Sequence, residues 1–506
     1  MHTDKLARYF EESKHSPEVD TRWLSLSSNI AIKKWKNSST LLSVVKSNKP
    51  TLIKHNTIRS WPMFAWNLLE IVKQTNISLN GTRWQPEPVF VLGQERDKGG
   101  MIGSEQDLPL SYTNITMEQF LSATLNPHNW LYWTGELSVW EDALGVPPPT
   151  PHTCGADHHD WRDLRIKEPG LSWNAPAVAD NNSNVEESAP TADRDQTCAE
   201  DEENTDLWRP MLWLSHPGVV AQTRYDTQHN LFVQVVGSKR FLLFPPGTEL
   251  YSYPNIHRSY RQSQVRLEYN TTATAPSTPS TTAHNQQLAQ TTTNLTFGQK
   301  FSRVCPSNTT AIEVTLHPGD VLYIPPYWQH RVESLTLALS LSILSPSYLE
   351  ASFAEVYWEN VPFGAFQAHR GLRTRAVYTY LSLLLTHTAK FIPHITLDEF
   401  AQELYEKRFE TLNIAHKEFR TCFETPPTTA AAASKETPAE SANALILRYT
   451  EKFTLAASNV AEMLYKIDAM QQVKVIFLRD YVEQLVRWAV GPDYVASFLQ
   501  KCLVLA

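Results

Sequence analysis

Nowhere in the 506 residues does an apolar run approach the roughly 18 residues that a membrane-spanning helix needs, and the most apolar window, AVYTYLSLLL from Ala376, is too short. The first residues, MHTDKLARYFEESKHS, lack the apolar centre of a secretory signal, so neither a span nor a leader is expected. Positive charge in excess is missing too. Against 53 Asp and Glu stand 45 Lys and Arg, a formal net charge of -8, which disfavours nucleic acid and acidic membranes as partners. Cysteine is scarce: Cys154, Cys198, Cys305, Cys422 and Cys502 lie far apart, odd in number and without a CxxC pair. Reduced thiols in cytoplasm or nucleus are expected rather than a disulfide framework. No repeat at solenoid period is visible. What is present, 42% hydrophobic residues with 15 Trp, 19 Tyr and 20 Phe, marks a folded chain with one elaborated domain or two packed ones.

Pattern changes divide the chain. Residues 1–150 read as an α/β elaboration: KPTLIKHNTIRSWPMFAWNLLEIV from Lys49 predicts a strand, a turn and a helix carrying Trp66, Leu69 and Val72. Thr116 opens the capping-box pattern T-x-x-Q of a short helix, and EPVFVLG and WLYWTG read as strands. Residues 151–207 read as a loop with an acidic disordered insertion at 178–206. Residues 208–346 form a mainly β core, with NLFVQVVG, KRFLLFPP, GDVLYIPP and LTLALSLSIL as short strands and a Thr, Ala and Gln-rich disordered insertion at 270–296. Residues 347–506 are helical around a disordered linker at 424–443, with Val460, Met463, Leu464, Ile467 and Met470 on one face and Val473, Phe477, Tyr481 and Leu485 continuing it. That stripe serves either as core or as a homodimer face.

Within the β core, Asp226 follows a strand-like run, Lys239 opens the next strand after a tight turn at Gly237, and His330 closes HPGDVLYIPPYWQH. A carboxylate and an imidazole can share a divalent metal, and a nearby lysine can anchor an anionic co-substrate.

RYDTQHNLFVQVVGSKRFLLFPP followed by HPGDVLYIPPYWQHRVES resembles the JmjC, or cupin-like, branch of the iron(II) and 2-oxoglutarate-dependent oxygenases, the branch of the asparaginyl hydroxylase of hypoxia-inducible factor. The resemblance covers about residues 208–346, with a weaker match over 48–145. It implies an α+β protein around a double-stranded β-helix, or jelly roll, with its site in the barrel mouth. It further implies Fe(II) and 2-oxoglutarate as cofactors and a protein substrate or partner. Asp226 and His330 fall on two iron ligands and Lys239 on the lysine that holds the far carboxylate of 2-oxoglutarate. Asn230, Ser342 and Tyr132 fall on polar positions around that co-substrate.

Arg224 falls where the family has the first histidine of its H-x-D pair. A guanidinium stays protonated and has no lone pair for a metal, so the 2-His-1-carboxylate set is reduced to two ligands and iron catalysis is expected to be impaired. On an extended segment residues 224 and 226 share a face, which predicts an ion pair between Arg224 and Asp226 at the vacated metal position. His229 has the wrong parity to replace the missing ligand without a bulge, and His216 could approach only from another loop. The cluster PHTCGADHHDW from Pro151 holds metal-competent side chains without a known ligand spacing and reads as a solvated loop. Arg258 and Arg261, in YPNIHRSYRQSQV, are placed along the approach to the site, as solvated groups or as contacts for something acidic. Three readings stay open: a pseudo-oxygenase that keeps the fold for binding, an active protein hydroxylase or demethylase with an unconventional metal site, and a tRNA-modifying hydroxylase.

Overall fold

The computed structural model describes residues 25–36, 39–55, 58–65, 78–84, 94–96, 100–102, 110–124, 131–137, 164–166, 210–248, 250, 252–256, 260–263, 310–367, 369–392, 396–410, 422 and 442–503. The first two insertions, residues 424–441 of the third, the helix expected around Trp66, the strand EPVFVLG, the cluster from Pro151, Arg258 and the cysteines at 154, 198 and 305 lie outside them, while residues 442–443 of the expected linker open a helix instead.

The N-terminal part contributes β1 (Ser25–Ser27), β2 (Ala31–Lys34), β3 (Thr51–Lys54), β4 (Ser78–Trp84), β5 (Gln94–Arg96), β6 (Gly100–Ile102), β7 (Leu110–Thr116) and β8 (Leu131–Glu136). It also contributes helices α1 (Ser39–Ser47) and α2 (Met117–Ala123). Thr116 caps α2 as its sequence predicts: its hydroxyl accepts from the Gln119 amide, and the Gln119 side chain accepts in return from the Thr116 amide at 2.8 Å.

The core adds β9 (Pro210–Ser215), β10 (Val220–Arg224), β11 (His229–Val236), β12 (Lys239–Phe244), β13 (Thr310–Leu316), β14 (Asp320–Ile324), β15 (Gln329–Ser334) and β16 (Ala338–Ser345). The strands form a five-stranded sheet ordered β1-β13-β12-β15-β10 and a nine-stranded sheet ordered β2-β3-β14-β11-β16-β9-β8-β4-β7. Pairing is antiparallel except for β1 with β13 and β2 with β3. The short β5–β6 pair stands apart.

Alternation decides which face each residue serves. Phe241, Leu243, Leu316 and Val332 from the smaller sheet meet Leu52, Phe232, Leu322 and Ile324 from the larger one, so this cluster is the inside of a barrel. The odd-numbered residues Leu231, Val233, Leu339, Leu341 and Ile343 point the other way, onto Leu41 and Val44 of α1 and Phe120 and Leu121 of α2. The interleaved Ser340 and Ser342 of β16 therefore sit on the inner face, paired across the strands with Gln234 and Phe232. The chain is thus a jelly-roll core with helical elaborations.

The helical region comprises α3 (Tyr348–Trp358), α4 (Arg370–Thr388), α5 (Leu397–Arg408), α6 (Ala442–Lys466), α7 (Gln471–Val490) and α8 (Val495–Lys501). Most of the predicted stripe is core: Val460, Leu464, Ile467, Val473, Phe477 and Tyr481 are buried together, Met463 and Leu485 pack against them half-buried, and Met470, in the turn between α6 and α7, is exposed. This core reaches the barrel through Tyr225 and Tyr327, whose rings stack at 5.5 Å, and through Phe353, which stacks on Phe477 at 4.2 Å. Deeper still, Arg408 donates to Asp480 Oδ1 at 2.6 Å and to Glu483 Oε1 at 2.8 Å, and Glu483 accepts from the Asn255 amide. One guanidinium with two carboxylates thereby ties α5 and α7 to the segment after β12.

Cys422 and Cys502 form a disulfide with a Cα separation of 5.3 Å. The expectation of reduced thiols is corrected at this pair. Eighty residues of sequence separate the two cysteines, and only the packing of α8 on the helical core brings them together.

Candidate functional site

Arg224 ends β10 and stands directly opposite His330 on β15, which in turn faces Leu243 on β12. Four residues further along β15, Ser334 faces Lys239. Strand parity thus turns Arg224, His330 and Lys239 into the same barrel interior, where Asn230 and Phe232 of β11 approach from the larger sheet.

Two backbone features fix these positions. Gly237 has φ +69°, and a Cβ there would fall 2.0 Å from the Leu337 carbonyl oxygen, so glycine alone closes the turn that starts β12 at Lys239. Tyr327, just before β15, adopts φ +65° and donates its amide to the Asp226 carbonyl at 2.8 Å. A bulky residue in the left-handed region costs about 1 kcal/mol or more, and the stack of Tyr327 on Tyr225 helps to hold it there.

Asp226 and His330 come together. The imidazole Nε2 lies 3.6 Å from Asp226 Oδ2, with His330 buried and Asp226 about one-third exposed. His330 Nδ1 lies 3.2 Å from the Trp328 carbonyl, which can only accept. Burial holds the His330 pKa below its ordinary value against the pull of the Asp226 charge, with Arg224 pushing the same way as burial. A neutral ring donating from Nδ1 leaves the Nε2 lone pair facing the carboxylate, which is how two ligands face a shared cation.

Among the described residues no third candidate ligand joins them. The predicted ion pair between Arg224 and Asp226 is not formed. Register shifts between Ala221 and Arg224, and β10 ends at Arg224, so Asp226 lies beyond the strand and the shared-face argument fails. The guanidinium instead lies over the Trp213 ring at 5.8 Å, and Trp213 stacks on Tyr132 at 6.4 Å. His229 points to the outer face of β11, where Nδ1 is 2.9 Å from the Tyr323 hydroxyl. His216 is committed to the Phe120 carbonyl at 3.0 Å. Among the described residues no three His, Cys, Asp or Glu side chains are placed to hold a metal.

Lys239 is 4% exposed, and its ammonium lies 5.4 Å from the Phe232 ring centroid. Among the described residues the ammonium has no hydrogen bond or ion pair. Burial, and then the Arg224 charge, push its pKa down from 10.5 to about 7. Ser342 donates to Asn230 Oδ1 at 2.8 Å, so the two polar positions named with Lys239 form one buried pair on the inner face. Tyr132 stands on the Trp213 stack, beside the arginine rather than the lysine. Arg261 lies over Tyr225 at 6.0 Å and Tyr260 at 5.0 Å. Sequence reasoning missed Trp213, whose only signal is its alternation with Leu212 and Leu214 in PMLWLS.

Comparison with known proteins agrees with the fold. A model of the cupin-like domain matches residues 38–360. Over 130 residues the chain is 31% identical to Jumonji C domain-containing protein 5 of Drosophila melanogaster, covering 26% of each protein. It is 30% identical over 129 residues to JmjC domain-containing protein D of Dictyostelium discoideum, covering 26% of this chain and 23% of that protein. A plant protein named lysine-specific demethylase JMJ30, of Arabidopsis thaliana, is 30% identical over 142 residues, covering 28% of this chain and 26% of the relative. The matches span about a quarter of the length of these curated relatives.

Proposed function

The chain belongs to the cupin-like family, in its JmjC branch, and from that premise we propose that it is an oxygenase-type barrel with impaired iron chemistry that works by binding a protein partner. What supports this reading is Arg224, a side chain without a metal-binding lone pair at the position where the resemblance puts the first iron ligand, observed turned onto Trp213. Iron does not fit the residues present: Asp226 and His330 supply two ligands, and a fixed guanidinium beside them adds positive charge where a cation would have to bind. No chemical step is therefore assigned to the metal.

2-Oxoglutarate fits better. Lys239 offers a buried ammonium without an ionic partner among the described residues, suited to one carboxylate terminus, with Asn230 and Ser342 as polar neighbours. The protein partner, taken over the barrel mouth or on the helical region, is of unassigned identity, and pairing of two copies through the C-terminal helices belongs to the same proposal. Among the described residues no helix is long and apolar enough to cross a membrane.

The second reading is an active protein hydroxylase or demethylase. It is favoured by the ligand-like approach of His330 to Asp226 and by relatives named as lysine-specific demethylases. A tRNA-modifying role is disfavoured by the net charge of -8. Calorimetric titration with Mn(II), with and without 2-oxoglutarate, separates the first two. The expected result is no saturable binding at micromolar metal to the unaltered chain and at least a tenfold gain in affinity for Arg224→His. Tight binding by the unaltered chain, strengthened by 2-oxoglutarate, would overturn the proposal.

A further inference from the structure

Two cations enter one barrel interior, and among the described residues neither has a carboxylate within ion-pair distance. Lys239 is almost fully enclosed, and Arg224 is partly buried against Trp213. Each pushes on the other or on a common neighbour: the Arg224 charge depresses both Lys239 and His330. Like charges in a low-dielectric interior destabilise the fold, and an apolar side chain of similar volume would pack there without that cost. The arrangement has a physical use if an anion completes it.

The geometry restricts the anion. Arg224 pairs with His330 and Lys239 with Ser334, so the two cations are offset by four residues along β15, roughly 13 Å of strand. Two long cationic side chains turned into one interior across that offset suit a short molecule with a negative group at each end. The guanidinium is a planar fork that matches a carboxylate in two parallel hydrogen bonds, whereas the ammonium suits a single anionic terminus. Trp213 orders the fork before a ligand arrives, which lowers the entropy lost on binding. On the same inner face, Asn230 has its carbonyl taken by Ser342, which leaves its amide N–H groups as donors. Asp226 is turned to His330, and its side chain is about one-third exposed.

We propose that the barrel of this protein is a metal-independent site for a short dicarboxylate, with one carboxylate on Lys239 and the other on the Arg224 fork in place of a metal ion. The inference rests on the reading of Arg224 as the replacement of an iron ligand, and it adds a role for that replacement, binding of the second carboxylate without a metal. Binding of this kind stabilises the barrel by mass action and couples its mouth to the concentration of a small metabolite without any turnover.

The test is calorimetric titration of the full chain in excess EDTA with succinate, glutarate and 2-oxoglutarate, with butyrate as a one-carboxylate control. The expected result is one site per chain for at least one dicarboxylate and at least tenfold weaker binding of butyrate. Arg224→Gln and Lys239→Met should each weaken the dicarboxylate at least tenfold, and Arg224→Lys, which keeps the charge and loses the fork, should fall between. Thermal melts of the variants verify that they are folded. Metal-free binding that Arg224→Gln leaves unchanged would overturn the inference and reduce the site to Lys239. No binding with either EDTA or Mn(II) present would overturn the inference while the impaired-iron reading stands. Dicarboxylate binding that requires Mn(II) would overturn both.

Discussion

Replacing Lys239 by methionine should make the ligand-free protein more stable, because the lysine is held for binding at a cost to folding. Its pKa falls from 10.5 to about 7 on burial, and at about 1.4 kcal/mol per pH unit this difference corresponds to an upper bound of about 5 kcal/mol. Relaxation of the long side chain toward solvent reduces this, and we expect a net gain of about 2 kcal/mol for Lys239→Met at neutral pH, since methionine fills nearly the same volume. The sign with pH is fixed by linkage. Between about 7 and 10.5 the unfolded chain binds a proton at this residue that the folded chain has released, so the stability of the unaltered protein rises with pH across that window. The advantage of the methionine variant is therefore full at or below pH 7 and shrinks as the pH approaches 10.5. Urea denaturation of both proteins at pH 6.5, 8 and 9.5, in dicarboxylate-free buffer, measures it. A variant less stable than the parent at pH 6.5, or a difference that does not change with pH, would refute the reasoning.

The same titration governs the ligand. A dicarboxylate needs the protonated ammonium, and among the described residues the one charge shown to act on Lys239 is that of Arg224, so affinity should change little between about pH 6 and 7, where the ligand stays doubly ionised, and fall by up to tenfold per pH unit above. Near pH 8 binding should take up close to one proton, read from calorimetric enthalpies in buffers of different ionisation heat. In the helical region, Arg408→Met should cost about 3–5 kcal/mol, because it leaves Asp480 and Glu483 enclosed without their cation. Its urea midpoint should fall accordingly, and a loss under 1 kcal/mol would show that the carboxylates find other partners.

The barrel was legible because its strands alternate. In ALSLSILS, Leu339, Leu341 and Ile343 face α1 and α2 and the interleaved Ser340 and Ser342 face inward, as a period of two requires. Lys239 and His330 could be placed on the inner face from their strands alone. The partner of Arg224 could not, because a register shift within β10 and the end of that strand redirect Asp226, and the aromatic ring that receives the guanidinium belongs to β9. The Arg408 cluster joins residues more than 70 positions apart, and the disulfide joins positions 80 apart. Neither leaves a local pattern. The turn between α6 and α7 contains no proline or glycine, and the apolar spacing runs on through it. Tertiary packing decides it rather than local propensity.

Crystals of the full chain grown with Mn(II) and 2-oxoglutarate test the central claim most directly, through an anomalous difference map at the manganese edge. The account predicts no manganese peak between Asp226 and His330, with dicarboxylate density running from Lys239 to Arg224. A fully occupied manganese site bonded to both Asp226 and His330, with Arg224 swung aside, would contradict it.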